Sequence, residues 1–122
     1  MNLQYQNYKL RKPENRDAGG LVEITHDKEA MKYFGTSGAF FEQEKDALEE
    51  IRWMNDQFID NIGRWIITEK SKDTYIGDIG FHNYSKNHKR IELGYKLKQE
   101  FWGKGIITNF IRVLMHYAFT NF

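Results

Sequence analysis

The stretch Ile91–Asn109, IELGYKLKQEFWGKGIITN, constrains this chain more than any other. It reads as a strand over Ile91–Leu97, a short loop over Lys98–Trp102, the turn Gly103-Lys104-Gly105, and a helix opening at about Ile106. A glycine turn between a strand and a helix N-terminus points several free backbone N–H groups at one place. The helix adds the positive end of its dipole there. Such a place holds an anion, most often a phosphate. Tyr95, Lys96 and Leu97, just upstream, then run alongside whatever carries the phosphates.

The run LGYKLKQEFWGKGIIT resembles the coenzyme A pyrophosphate loop of the GNAT N-acetyltransferases, whose pattern is Gln/Arg-x-x-Gly-x-Gly/Ala. Gly103 and Gly105 fill the two small-residue positions. The Gln/Arg position falls on Glu100, a departure that brings an acid toward the phosphates, with Gln99 one place early. The Trp-Gly-Lys-Gly core followed by Ile-x-Thr is similar to the branch that acetylates protein N-termini, notably of ribosomal proteins.

The order of elements upstream agrees with that resemblance. A strand is expected near Tyr8–Arg11, closed by Pro13, which cannot donate to a ladder. A helix over Glu14–Ile24 carries Ala18, Leu21 and Val22, weakened by Gly19-Gly20. Asp27 is a good N-cap for a second short helix running to about Phe34. Glu42–Ile62 has the clearest helical period, with Ala47, Leu48, Ile51, Met54, Phe58 and Ile62 on one face and Gly63 after its end. Strands Arg64–Glu69, Thr74–Tyr84 and Arg90–Leu97 make an antiparallel meander, with Gly77 and Gly80 marking a bulge or a close backbone contact. The last helix turns Ile107, Phe110, Ile111, Leu114, Met115 and Ala118 to one broad face.

The expected fold is therefore α/β (α+β) of GNAT type, the acyl-CoA N-acyltransferase fold: a mostly antiparallel sheet flanked by helices. Residues 1–122 form a single domain that holds the N-terminal portion of that fold. The family continues with a strand beside Ile91–Leu97, a further helix and closing strands. The chain is expected to stop short of them, at Phe122. An unpaired strand edge invites association with another chain, and self-association is the expectation.

Composition narrows the partners. With 18 basic and 17 acidic residues the net charge is +1, so no global field exists to hold nucleic acid or an anionic membrane. No apolar run approaches membrane length, and the N-terminus has no apolar leader core. The chain has no cysteine, which excludes disulfides and thiol catalysis, and its four histidines lack metal-ligand spacing. A cytoplasmic protein without a metal is expected.

The resemblance implies acetyl-CoA as co-substrate and an amine as acceptor. Backbone N–H groups of Trp102, Gly103, Lys104, Gly105 and Ile106 would hold the pyrophosphate, with the Thr108 hydroxyl and the Lys104 ammonium beside them. Tyr95, Lys96 and Leu97 would pair with the pantetheine amides, and the Leu97 N–H would meet the oxyanion. Phe34–Phe41 is the candidate acceptor-specificity loop. For the general base Glu92 is the first candidate, an acid in an apolar strand whose burial would raise its pKa; the alternative puts it on a solvent-facing stripe with Lys96. His82 is the second. If the preceding turn is centred on Asn87, His82 stands directly across from Glu92, close enough for a proton relay.

The function expected is acetyl-CoA-dependent N-acetylation of a primary amine, with a protein N-terminus as acceptor. A small polyamine or aminoglycoside is the rival acceptor. A catalytically inert binding or assembly module that keeps the fold is the rival from another class. A P-loop nucleotide site is excluded, because Lys104 precedes glycine and the Gly-Lys-Ser/Thr spacing is missing.

Overall fold

A computed structural model of the chain describes residues 1–32, 40–85 and 90–121. Among the described residues, five strands form one sheet in the order β1-β2-β3-β4-β5, each antiparallel to its neighbour. They are β1 (Gln4–Tyr5), β2 (Tyr8–Arg11), β3 (Arg64–Glu69), β4 (Tyr75–Ser85) and β5 (Arg90–Leu97). Helices α1 (Ala18–Thr25), α2 (Lys28–Met31) and α3 (Glu44–Asp56) lie between β2 and β3, and α4 (Ile106–Asn121) follows β5.

Side-chain alternation along the strands splits the core into two clusters, one per face of the sheet. Leu10, Trp65, Ile67, Ile79, Phe81 and Leu97 pack with Ile106, Phe110, Leu114 and Ala118 of α4. Ile66 and Tyr75 pack on the other face with Leu21, Ile24, Ala47, Ile51 and Met54 of α1 and α3. Each fully buried Leu, Ile or Phe contributes roughly 1.5–3 kcal/mol from removal of apolar surface from water.

The expected strands β2, β3 and β5 are observed, and the glycines of β4 show why they are there. A Cβ on Gly77 would lie 2.4 Å from the Lys96 carbonyl oxygen, and one on Gly80 2.4 Å from the Arg64 Cα. The ladder between β3 and β4 also shifts register between Ile67 and Thr68. Both parts of the expectation, close approach and bulge, hold.

Two helices differ from the expected ones. The segment from Glu14 is a 3₁₀ turn (Asn15–Asp17) followed by α1, not one helix. Asp17 is the cause: it is buried, accepts from Arg11 Nη1 and Nη2 at 2.8 and 2.7 Å, and takes the Glu14 N–H at 2.8 Å. Gly20 is then needed inside α1, because a Cβ there would come within 2.6 Å of the Tyr75 ring. The helix α3 ends at Asp56, short of the expected Ile62. Phe58 and Ile62 continue the spacing only by coincidence, since they pack on the α4 side of the sheet, Phe58 edge-on to Trp65 at 5.0 Å. Between them Asp60 takes a positive φ and Ile59 and Ile62 exchange backbone hydrogen bonds of 2.9 Å. Leu48, placed on the apolar stripe, is 39% exposed.

Candidate functional site

The cleft beside the glycine turn follows from how β5 ends. The Lys98 N–H donates to the Ile76 carbonyl, so the even-numbered peptides of β5 face β4. Alternation then turns the N–H and C=O groups of Tyr95 and Leu97 to the outer edge of the strand. Residues Gln99–Phe101 form a 3₁₀ turn, and the chain reaches α4 through Gly103 (φ 77°) and Gly105 (φ 78°), a region that L side chains rarely enter. The Asn109 N–H closes on the Gly105 carbonyl and starts the helix. Among the described residues, no hydrogen bond takes the N–H groups of residues 103–108. These donors converge at a helix N-terminus, the arrangement that binds an anion.

A cavity of about 330 Å³ opens at this place. Its lining includes Tyr95, Lys96, Leu97, Trp102, Gly103, Lys104, Gly105, Ile106 and Thr108. The sequence reading missed four more lining residues: Ala30 of α2, Phe101, Ile107 and Ile111. Ile107 and Ile111 stood out only as core positions of a helix face, and α2 has no sequence signal linking it to the turn. Tyr5, from the other end of the chain, supports the turn from below, its hydroxyl 3.5 Å from the Lys104 carbonyl oxygen and its ring edge-on to Phe110 at 6.4 Å.

Several expected roles change. The Trp102 N–H is bonded to the Gln99 carbonyl at 3.0 Å, so the free donors begin at Gly103. The Trp102 indole instead donates to the Leu97 carbonyl at 2.8 Å. Glu100 is exposed and does not line the cleft. Gln99 turns away from it and donates to both carboxylate oxygens of Asp27, at 2.8 and 2.9 Å. Asp27 caps α2 as expected, accepting from the Glu29 and Ala30 N–H groups. The Gln99 bond, then the Ala30 N–H, hold its carboxyl below the ordinary value.

His82 faces Glu92 across the β4–β5 ladder, as the register expectation required, with Nε2 and Oε2 3.2 Å apart. The turn that suggested the register, at 86–89, lies outside the described residues. The Glu92 side chain is 36% exposed and also accepts from Arg90 Nη2 at 2.7 Å. The burial expected of it is not observed. The pair lies on the α1–α3 face of the sheet and is not part of the cleft lining.

The solvent-facing stripe shared by Glu92 and Lys96 is not observed. The Lys96 side chain is 3% exposed, its Nζ 3.5 Å from Asp78 Oδ2. Asp78, fully buried, also accepts from Arg64 Nε at 2.7 Å and from the Tyr75 hydroxyl at 2.6 Å. Arg64 Nη2 continues across Gly80 to the Gly94 carbonyl at 3.0 Å. Burial pushes the Asp78 carboxyl up, but Lys96, Arg64 and Tyr75 outweigh it and the net value is below the ordinary one. Burial pulls the Lys96 ammonium down despite Asp78. This polar cluster beneath the cleft carried no sequence signal beyond charges in otherwise apolar strands.

The specificity loop expected at Phe34–Phe41 lies outside the described residues up to position 39. Its end is anchored to the C-terminus of α1. The Phe41 N–H donates to Thr25 Oγ1 at 3.2 Å, and Phe40 stacks on His26 at 4.6 Å.

A family description, the acetyltransferase (GNAT) domain, matches residues 8–122. The chain belongs to the GNAT acetyltransferase family. It is 33% identical over 113 residues to the uncharacterized N-acetyltransferase p20 of Bacillus licheniformis, covering 92% of this chain and 62% of that protein. This GNAT chain therefore spans less than two thirds of that relative's length. A solved structure titled as a probable acetyltransferase superposes with a TM-score of 0.78 at 28% identity, over 96% of this chain and 65% of the other. RimL, a ribosomal L7/L12 α-N-protein acetyltransferase solved with coenzyme A, shares the fold with a TM-score of 0.74 at 15% identity, over 93% and 64%. Among the described residues of the GNAT domain, no three His, Cys, Asp or Glu side chains gather as a metal site, and no helix is long and apolar enough to cross a membrane.

Proposed function

We propose that this GNAT domain binds acetyl-CoA in the cleft at Gly103–Gly105 and serves acetyl transfer to a primary amine. The observation that carries the reading is the row of unbonded N–H groups at residues 103–108 beside the outward-facing edge of β5. The pyrophosphate would meet the N–H groups of Gly103, Lys104, Gly105 and Ile106, with Thr108 and Lys104 at its flank. The pantetheine arm would lie along Tyr95–Leu97 as a short added strand. The coenzyme bound to RimL supports the choice of ligand.

In the transfer itself, the amine nitrogen attacks the thioester carbonyl carbon. The carbonyl oxygen becomes an oxyanion facing the Leu97 N–H, and the C–S bond breaks to release the coenzyme thiolate. A positioned donor of this kind is worth about 3 kcal/mol of barrier. Glu92 is the proposed base, paired with His82. It precedes Leu97 by five residues, roughly 16 Å along an extended strand, so it takes the proton through water and not by contact. The acceptor proposed is a protein N-terminus, supported by the Trp102-Gly103-Lys104-Gly105 motif and by the activity named for RimL. A second copy of the chain pairing along the outer edge of β5 belongs to the same reading.

Calorimetric titration with acetyl-CoA tests the proposal. Saturable binding that Gly105→Ala abolishes is expected; no heat of binding overturns it and leaves the inert assembly module as the surviving reading. An N-terminal peptide acetylated in preference to a polyamine would support the acceptor, and the reverse order would replace it.

A further inference from the structure

Trp102 is a large apolar ring left 42% exposed at the mouth of the cleft, and its backbone N–H is spent on Gln99. Its side chain bonds Leu97, the last residue of β5, five positions back. Leu97 lies where the chain leaves the sheet. Lys98 still bonds to β4, and the 3₁₀ turn begins at Gln99. The peptide between Leu97 and Lys98 is therefore held by the ladder on its inner side, through the Lys98 N–H, while its carbonyl points to the outer edge. The indole N–H takes that outward carbonyl of Leu97 at 2.8 Å and restrains the peptide from its other side.

In an extended residue the N–H and C=O point the same way. Holding the Leu97 carbonyl at the outer edge therefore holds the Leu97 N–H there too. We propose that Trp102 is a positioning residue: its indole N–H fixes the Leu97 peptide so that the Leu97 N–H meets the acyl carbonyl of a bound thioester. The proposal rests on the coenzyme reading above. It assigns Trp102 a task distinct from the phosphate cradle, which begins one residue later.

The test compares coenzyme A with acetyl-CoA, which differ only in the acyl group. Trp102→Phe keeps the ring and removes the donor. Loss of one hydrogen bond is expected to lower the preference for acetyl-CoA over coenzyme A about fivefold, with coenzyme A affinity changed by less than about twofold. A Trp102 that merely pins the loop would weaken both ligands alike, and an unchanged ratio overturns the proposal. The wild-type chain gives an independent measurement that needs no variant. The Leu97 amide resonance should move further with acetyl-CoA than with coenzyme A, and an equal response to both overturns the proposal. If the wild type binds neither, the coenzyme reading fails, and this proposal with it. Binding with an unchanged ratio removes only the role of Trp102.

Discussion

His82 Nε2 lies 3.2 Å from Glu92 Oε2, directly across the β4–β5 ladder and on the face of the sheet opposite α4. The carboxylate is shared with Arg90, so it is both oriented and partly neutralised. In the proposed transfer this pair moves the proton from the acceptor amine to solvent.

Replacing Glu92 by Gln keeps the shape and removes the basic group. The change should lower kcat/KM about 10²-fold, the usual scale of general-base assistance, and leave acetyl-CoA binding intact. Steady-state kinetics with an N-terminal peptide, together with calorimetry, separate the two effects. Wild-type kcat/KM in the variant would dismiss Glu92 as the base.

Asp78 is the counter-charge for two buried cations, Arg64 and Lys96. Asp78→Asn removes the carboxylate that both cations contact and should cost roughly 3–5 kcal/mol, read as a lower urea midpoint. The pH dependence follows from the direction of its shift. Its folded pKa is below the unfolded one, so its contribution is complete above the ordinary carboxylate value of about 3.9 and is lost as pH falls through the folded value. Asp73 titrates in the same direction: burial opposes, but hydrogen bonds from Arg11 and Arg16 hold it well below the ordinary value. Glu50 also faces the cluster and moves oppositely, raised by its own partial burial. Acid unfolding should therefore be less steep in Asp78→Asn than in the wild type. Equal acid slopes would mean that the cluster is not the acid-labile element.

The two glycines of the turn should respond differently to alanine. Both sit at positive φ, where a Cβ costs about 1–2 kcal/mol. At Gly103 an added methyl meets nothing within 4 Å, so backbone strain alone applies. At Gly105 it would come within 2.9 Å of the Tyr5 hydroxyl, which must shift and give up its contact with the Lys104 carbonyl. Gly105→Ala should lose acetyl-CoA binding, and Tyr5→Phe in the same chain should partly restore it. Thermal melts and titrations of the three variants decide this; no rescue by Tyr5→Phe would place the damage in the backbone alone.

Local chemistry made much of this fold legible. Strand and turn residues defined β2, β3 and β5, and a single assumed turn centre was enough to bring His82 opposite Glu92. What escaped depended on contacts between distant segments. Phe58 and Ile62 keep a helical spacing with Ile51 and Met54, yet pack on the other side of the sheet. Lys96 reads as a surface lysine until Asp78 and Arg64 from two other strands meet it. Trp102 reads as a backbone donor, because nothing in the motif tells where an indole points. Gln99, one place from the family's phosphate-facing position, is taken up by a carboxylate 72 residues away in sequence.

The outer edge of β5 bears on the behaviour of the chain in solution. Among the described residues β5 pairs only with β4, and the N–H and C=O groups of Tyr95 point away from that partner. An edge of this kind, with no proline in Arg90–Leu97, is a template for another strand. A second copy is the partner always present at the concentration of the first. Sedimentation velocity should show a concentration-dependent dimer. Acetyl-CoA, whose pantetheine arm is proposed to use the same edge, should shift the population toward monomer. Dimer unaffected by the coenzyme would separate the association surface from β5, and a monomer at all concentrations would remove the self-pairing altogether.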